Sequence, residues 1–351
     1  MKRTLLLIAL SACATLADGT PGLDNPPGAR AGPFRPLAVG ELGQGRPAPN
    51  AISGADPEPF TRDPSVVDVD QDPATLPVEG YFAASDEDAD VEAPSIKIVR
   101  TTAVDGRSFE RAAEVVLELT RDWEGESLGA PSVVIGDNHE RLLFYGSSGG
   151  IGLARAGSED DAFDSADAPV FSRADVDWAS RELGSPGAVR LFDGSFRLYF
   201  ETEENGVPAI GVARSDDGSS FVDSGAPVLR ATGREGDVDA SYVGSPHAVT
   251  ALSSEGREIV YVYYTARNEL EKQSIAMAAR FLENDSEELR RSGSSMYSPS
   301  GSLAPREPCV IRFDSFSFLF ATQRTAKNTP DPVVVVAVSP GGLELPAPEP
   351  M

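Results

Sequence analysis

Pro186-Gly187-Ala188-Val189, Phe196-Arg197-Leu198-Tyr199-Phe200-Glu201, Ile210-Gly211-Val212-Ala213-Arg214, Ser215-Asp216-Asp217-Gly218-Ser219-Ser220-Phe221 and Ala226-Pro227-Val228-Leu229 follow one another in the middle of the chain. The first three pieces and the last are short, rich in β-branched, aromatic or small apolar residues, and read as half-buried strands. Asp217-Gly218 is suited to a tight turn, and the aromatic after it has nowhere to go but between neighbouring layers. Pro227 fits only an edge strand, because a proline cannot donate to a central ladder. Four strands in succession make one small antiparallel unit.

The unit recurs. Its proline-led first strand appears as Pro64-Ser65-Val66-Val67, Pro131-Ser132-Val133-Val134, Pro186-Gly187-Ala188-Val189, Pro246-His247-Ala248-Val249 and Pro308-Cys309-Val310-Ile311, at intervals of 67, 55, 60 and 62 residues. The aromatic second strand recurs as Gly80-Tyr81-Phe82-Ala83, Arg141 to Gly146, Ile259 to Thr265 and Phe316 to Thr322. The small-residue third strand recurs as Ile151-Gly152-Leu153-Ala154-Arg155 and Ile275-Ala276-Met277-Ala278-Ala279, and the turn as Asp105-Gly106-Arg107-Ser108-Phe109. Five such units predict an all-β chain, a five-bladed β-propeller of four-stranded antiparallel blades over residues 60–345. A doubly wound α/β fold needs amphipathic helices between strands, and only Glu283 to Arg291 reads as a short one.

Outside the repeats the chain is different. Lys2 and Arg3, the apolar run Leu5 to Leu10 and the sequence Leu10-Ser11-Ala12-Cys13 form a signal peptide ending in a lipobox-like cysteine, residues 1–13. Cys13 is the expected lipidation site, and the apolar run is too short to span a bilayer. An ordinary secretory signal with Cys13 incidental is the competing reading. Ala14, rather than an aspartate, follows the cysteine, which by resemblance to the Gram-negative sorting pattern favours the outer membrane. Residues 14–59, rich in Pro, Gly and Ala, read as a tether, from which Leu37 to Leu42 could add an edge strand; residues 346–351 read as a flexible tail. Cys309 is the only other cysteine, so no disulfide framework is expected. The formal charge of −25 excludes nucleic acid as a natural partner, since a phosphate backbone calls for clustered Lys and Arg. Membrane attachment is expected through the N-terminal lipid alone.

The order of proline-led strand, aromatic strand, small-residue strand and Asp-Gly-x-x-aromatic turn resembles the five-bladed glycoside hydrolases: the arabinanase and β-xylosidase group, the fructosidases and levansucrases, and the β-mannoside phosphorylases. The resemblance implies an active site at one end of the central tunnel, built from carboxylates on the inner strands. Such enzymes need two carboxyl groups flanking the scissile bond. In the arabinanase-like pattern an Asp precedes the first-blade proline, an Asp follows the second-blade proline, and a Glu comes shortly before the fourth-blade proline. Asp63-Pro64 keeps the first; Ser132 stands at the second, and Gly244-Ser245-Pro246-His247 occupies the third.

The candidate catalytic residues are therefore Asp63, Glu307 (which precedes Pro308 as Asp63 precedes Pro64) and Asp239, each with a plainer reading as a turn, ion-paired or solvated carboxylate. Candidate ligand-binding residues are Ser132, His247, Trp123 and Trp178. His247 also reads as a satisfied core histidine, and the tryptophans as packing between blades. No metal motif and no cofactor-binding loop is found. Two functions follow from different classes: a non-catalytic or divergent propeller that binds a glycan or an envelope protein, or an active glycosidase using Asp63 and a relocated acid. An exported protein lipid-anchored in the cell envelope suits both.

Overall fold

The computed structural model describes residues 34–36, 61–85, 95–104, 106, 109, 113–157, 162–253, 256–282, 287–299, 304–313, 316–324 and 332–340. It is a five-bladed propeller of antiparallel sheets. A short strand β1 (Arg35–Pro36) comes first. The first blade is β2 (Thr61–Val67), β3 (Val78–Ala84), β4 (Lys97–Ala103) and β5 (Glu114–Glu118). The second is β6 (Leu128–Ile135), β7 (Arg141–Ser147), β8 (Gly150–Ala156) and β9 (Asp164–Ser165). The third is β10 (Gly184–Arg190), β11 (Phe196–Glu204), β12 (Val207–Ser215) and an outer strand in two pieces, β13 (Val222–Asp223) and β14 (Leu229–Arg230). The fourth is β15 (Tyr242–Leu252), β16 (Glu258–Arg267), β17 (Gln273–Phe281) and β18 (Arg290–Tyr297); the fifth is β19 (Ala304–Arg312), β20 (Phe316–Arg324) and β21 (Pro332–Pro340).

All five proline-led segments are inner strands, as the repeat predicts. The fifth blade takes its fourth strand from β1, where Arg35 pairs with Val338 and Pro36 with Ala337. The propeller is thus closed by a segment before residue 60, inside the stretch read as tether. Phe34 accompanies it: its amide donates to the Met296 carbonyl at 2.7 Å, and its ring meets Tyr263 edge-on at 5.9 Å in the core between blades four and five. Leu37 to Leu42, the expected edge strand, lies outside the described residues. The Glu283 to Arg291 helix does not form in its described part, since Arg290 and Arg291 open β18. Among the described residues no helix is long and apolar enough to cross a membrane.

In blades two and three the outer strands are short because prolines interrupt them. After Pro169 only Phe171 bridges, to Ile151, and after Pro227 only Leu229 and Arg230 pair. Aromatics after the third strands wedge blades one, two and three against the blade before them. Phe109 meets Phe320 at 5.7 Å, Phe163 meets Tyr81 at 6.0 Å, and Phe221 meets Phe144 at 5.7 Å, all edge-to-face.

Two rings of hydrogen bonds surround the axis. In the first, the residue after each proline bonds the next blade two residues beyond that blade's own proline. Ser65 Oγ accepts from the Val133 amide and Ser132 Oγ from the Ala188 amide, both at 2.9 Å. His247 Nε2 donates to the Val310 carbonyl at 3.0 Å. Cys309 Sγ accepts from the Val66 amide at 3.1 Å and donates to the Val66 carbonyl at 3.7 Å, closing blade five on blade one. At the remaining junction Gly187 packs against the Pro246 carbonyl, where a Cβ would lie 2.9 Å from the carbonyl carbon. The second ring forms the candidate site.

Candidate functional site

Each inner strand bulges at the same place. The ladder to the second strand slips between Arg62 and Ser65, Gly129 and Ser132, Gly184 and Gly187, Gly244 and His247, and Arg306 and Cys309. The slip skips the proline and the residue before it. That preceding residue holds a positive φ in every blade: Asp63 54°, Ala130 45°, Ser185 44°, Ser245 46° and Glu307 56°. A non-glycine residue there costs on the order of 1–3 kcal/mol. Five repetitions around one axis mark a built feature, because a bulge re-aims the side chain it carries.

The surroundings compensate. In four of the five bulges a side chain from the preceding blade accepts the bulge N–H: Thr322 Oγ1 that of Asp63 at 3.1 Å, Asp63 Oδ2 that of Ala130, Glu201 Oε2 that of Ser245 and Thr265 Oγ1 that of Glu307, the last three at 2.9 Å. Asp63 therefore has a structural duty as well as a place at the site.

The bulges divide the ring into two walls. Blades one and five carry Arg62-Asp63-Pro64 and Arg306-Glu307-Pro308. Blades two to four carry Gly129-Ala130-Pro131, Gly184-Ser185-Pro186 and Gly244-Ser245-Pro246. Above them opens a funnel of about 400 Å³, lined by both Arg-acid pairs, by Gly129, Gly146 and Gly184 and by Ser95, Ser127, Ser147, Ser148 and Ser185. Its volume is at the low end for small-molecule sites. Below the bulges the tunnel narrows between the five prolines to about 20 Å³, room for one water.

Glu307 is enclosed. Its Oε1 takes the Arg306 guanidinium, Nε at 3.1 Å, and its Oε2 has no conventional donor among the described residues. Asp63 and Thr322 are its neighbours, and Asp63 lines both the funnel and the tunnel with it. Burial pushes the Glu307 carboxyl well above the usual carboxylate range. The adjoining charge and hydrogen bond of Asp63 push it the same way, against the pull of Arg306 and Thr322. A carboxylate beside Glu307 and burial around it both favour the neutral form of Glu307.

The other expected residues divide. Ser132 and His247 line the narrow tunnel, where their polar atoms are engaged with the next blade. His247 touches the tunnel void yet lies deep in the body, and burial lowers it to about 4, so its ring is neutral near pH 7. Asp239 is elsewhere: its buried carboxylate accepts from the Tyr264 hydroxyl at 2.9 Å and from Arg291 at 2.8 Å. Trp123 stacks on Tyr145 at 6.1 Å, and Trp178 stacks on Phe200 at 6.0 Å while donating to Asp223 at 3.0 Å. Both pack at equivalent points of blades two and three, and neither lines the funnel. Cys13 lies outside the described residues.

The strand reading passed over Glu201, which ends the aromatic run of blade three. Its carboxylate accepts from the Tyr242 hydroxyl at 2.6 Å and from the Ser245 amide. A Cβ on Gly244 would lie 2.7 Å from Glu201 Cδ and 2.5 Å from Tyr242 Cζ. The position where the resemblance expects a general acid is therefore filled from beside it. Only the crowding around Gly244 reveals this, and no sequence spacing does. Among the described residues no cluster of three or more His, Cys, Asp or Glu has metal-binding geometry. A larger groove of about 660 Å³ lies at the rim of blades three and four, but Arg214, Arg230 and Arg291 in it are paired with Glu287, Glu204 and Asp239.

No family model matches the sequence, and no curated protein sequence does. Solved structures match the fold. A GH130 protein, from the family of mannoside phosphorylases that contains glycoside hydrolases targeting β-1,2 mannosidic linkages in Candida mannan, aligns with a TM-score of 0.65 at 14% identity, covering 90% of this chain and 95% of that one. A thermostable family-43 glycoside hydrolase aligns at 0.60 and 18% identity, covering 85% and 100%. The endo-arabinase from Bacteroides thetaiotaomicron aligns at 0.57 and 13% identity, covering 81% and 95%. The chain has the fold of the glycoside hydrolase propellers, as its repeats implied, at identities where likeness speaks of fold alone.

Proposed function

We propose that this protein is an envelope-anchored lipoprotein, attached through Cys13 at the outer membrane, whose propeller binds a glycan without cleaving it. The observation that carries the reading is that Asp63 and Glu307 adjoin at the foot of the funnel, where both also line a tunnel with room for one water. Cleavage needs two carboxyls on either side of a glycosidic bond, roughly 5–9.5 Å apart. Two adjoining carboxyls leave no room for the bond between them. Gly244 and Ser132 agree, the one crowded by Glu201 and Tyr242 and the other committed to the Ala188 amide. The funnel's hydroxyls and glycine-lined backbone suit a polyhydroxylated ligand, which is read by many directional hydrogen bonds.

The raised Glu307 favours the second reading, a glycosidase with Glu307 as acid and Asp63 as base, since a carboxyl that keeps its proton above the usual range is what a general acid needs. One experiment separates the two: the full chain and its Asp63→Ala variant are screened for hydrolysis of arabinan, xylan, fructan, mannan and aryl glycosides, beside a glycan array. Array binding without turnover is expected. Turnover lost in Asp63→Ala would overturn the binding reading. A Cys13→Ala chain that still fractionates with membranes would overturn the anchoring.

A further inference from the structure

We infer that a hydroxyl oxygen of the bound sugar completes the ring of bulges, accepting the Ser185 N–H at a place that Gly146 keeps open. This deepens the glycan-binding reading and rests on it. It starts from one position of the second strand. In each blade one second-strand residue pairs with the last inner-strand residue before the bulge. In chain order these residues are Ala83, Gly146, Glu201, Thr265 and Thr322.

Four of the five bulge amides find their acceptor inside the protein. Thr322 accepts from Asp63, Thr265 from Glu307 and Glu201 from Ser245, each from this second-strand position. Blade one has Ala83 there, and its Asp63 Oδ2 accepts from Ala130 instead. Blade two has Gly146 there, and its bulge residue is Ala130, so neither can offer a side-chain oxygen to Ser185. Ser185 itself lies in the stretch that the ladder skips between Gly184 and Gly187. Its amide therefore looks for an acceptor on the funnel side, which Gly129, Gly146, Gly184 and Ser185 all line.

The fold does not require a glycine at 146. A Cβ there would lie 3.5 Å from the Ser185 nitrogen, 3.6 Å from the Gly129 oxygen and 3.7 Å from Pro186 Cδ, all ordinary contacts. Gly146 does not hold a positive φ either. Gly187 and Gly244 differ, since a Cβ would collide with the Pro246 carbonyl at the one and with Tyr242 at the other. A strand glycine free of both constraints marks a place that a ligand approaches closely, and the side it opens is the funnel. The chemistry of the occupant follows from the neighbours. The amide calls for an acceptor, and at two of the three equivalent places that acceptor is a hydroxyl, of Thr265 or Thr322. Asp63 Oδ2 borders the notch, 3.4 Å from where a Gly129 Cβ would lie. A ligand carboxylate would set two acceptors against each other there, whereas a hydroxyl accepts the N–H and keeps a proton to donate.

Backbone amide exchange of the full chain, followed residue by residue by NMR, reads the place directly. Without sugar, the Ser185 amide should exchange about tenfold faster or more than those of Asp63, Ala130, Ser245 and Glu307. A saturating arabinan, xylan, fructan or mannan oligosaccharide should slow Ser185 about tenfold and leave the other four nearly unchanged. Gly146→Ser supplies the oxygen from the chain itself. It should protect Ser185 without sugar, hold or raise the urea midpoint, and weaken calorimetric affinity for the same oligosaccharide about tenfold. A Ser185 amide as protected as the other four in the free chain overturns the inference. So does a bound sugar that leaves Ser185 exchange unchanged, or undiminished affinity in Gly146→Ser; in each case glycan binding stands. Absence of binding to every oligosaccharide overturns both. The wild-type exchange decides even if the variant fails to fold.

Discussion

His247 should make this propeller sensitive to acid in a window where few carboxylates have begun to titrate. Its ring sits at the axis with Nε2 donating to the Val310 carbonyl, and burial lowers it from 6.5 to about 4. The unfolded chain therefore binds this proton more readily than the folded one. Stability contributed by the neutral ring is present above about 6.5 and is lost as pH falls toward 4. With each pH unit inside the window worth about 1.4 kcal/mol, the loss between pH 7 and pH 5 comes to about 2 kcal/mol. Urea unfolding of the wild type and of His247→Gln, at both pH values, measures it. Glutamine retains a donor for Val310 but has no proton to gain. The wild type should lose about 2 kcal/mol more than the variant on going from pH 7 to pH 5. Equal losses would refute the reasoning, because they would mean that the folded protein accepts the proton as easily as the unfolded chain.

The acid pair carries the opposite sign. Glu307 is raised, so the stability it contributes is present below about 4.5 and is lost as pH rises through its folded value. In urea midpoints from pH 4.5 to 8, Glu307→Gln should decline less than the wild type; parallel curves would show that the pair ionises without penalty. Gly187→Ala should cost about 1–3 kcal/mol, because the new Cβ meets backbone that cannot rotate away. Gly184→Ala, where a Cβ meets nothing within 4 Å, is the control and should be nearly neutral. Cys309→Val should cost about 1–3 kcal/mol by leaving the buried Val66 amide without an acceptor, and Cys309→Ser less. With the thiol pushed up to about 12 by burial, Cys309 should resist thiol reagents until urea unfolds the chain.

Several of these residues show how far the sequence could be read. The five proline-led strands were legible because a propeller repeats one unit, and each copy reinforces a pattern too weak alone. The wedging aromatic of the Asp217-Gly218 turn was legible for the same reason, and Phe221 does meet Phe144. Asp63 and Glu307 could be singled out by their shared place before a proline. That they come together could not, because 244 residues separate them and only ring closure brings blade five against blade one. The tryptophans could not be placed from sequence: a loop before an inner strand can reach the axis or pack on the blade, and the choice depends on whether Tyr145 and Phe200 offer a surface to cover.

By itself the sequence determined the class of fold, the number of blades, the strand order and the loss of two of three expected carboxylates. All of these follow from local periodicity and from residue identity at repeated positions. The tertiary structure alone decided that β1 closes the fifth blade, that five bulges turn their side chains to one axis, that Glu201 and Tyr242 fill the space beside Gly244, and that Asp63 and Glu307 come together. These depend on which residues of different blades come within a few ångströms. Such distances are set by closing the ring, and no window of the sequence contains them.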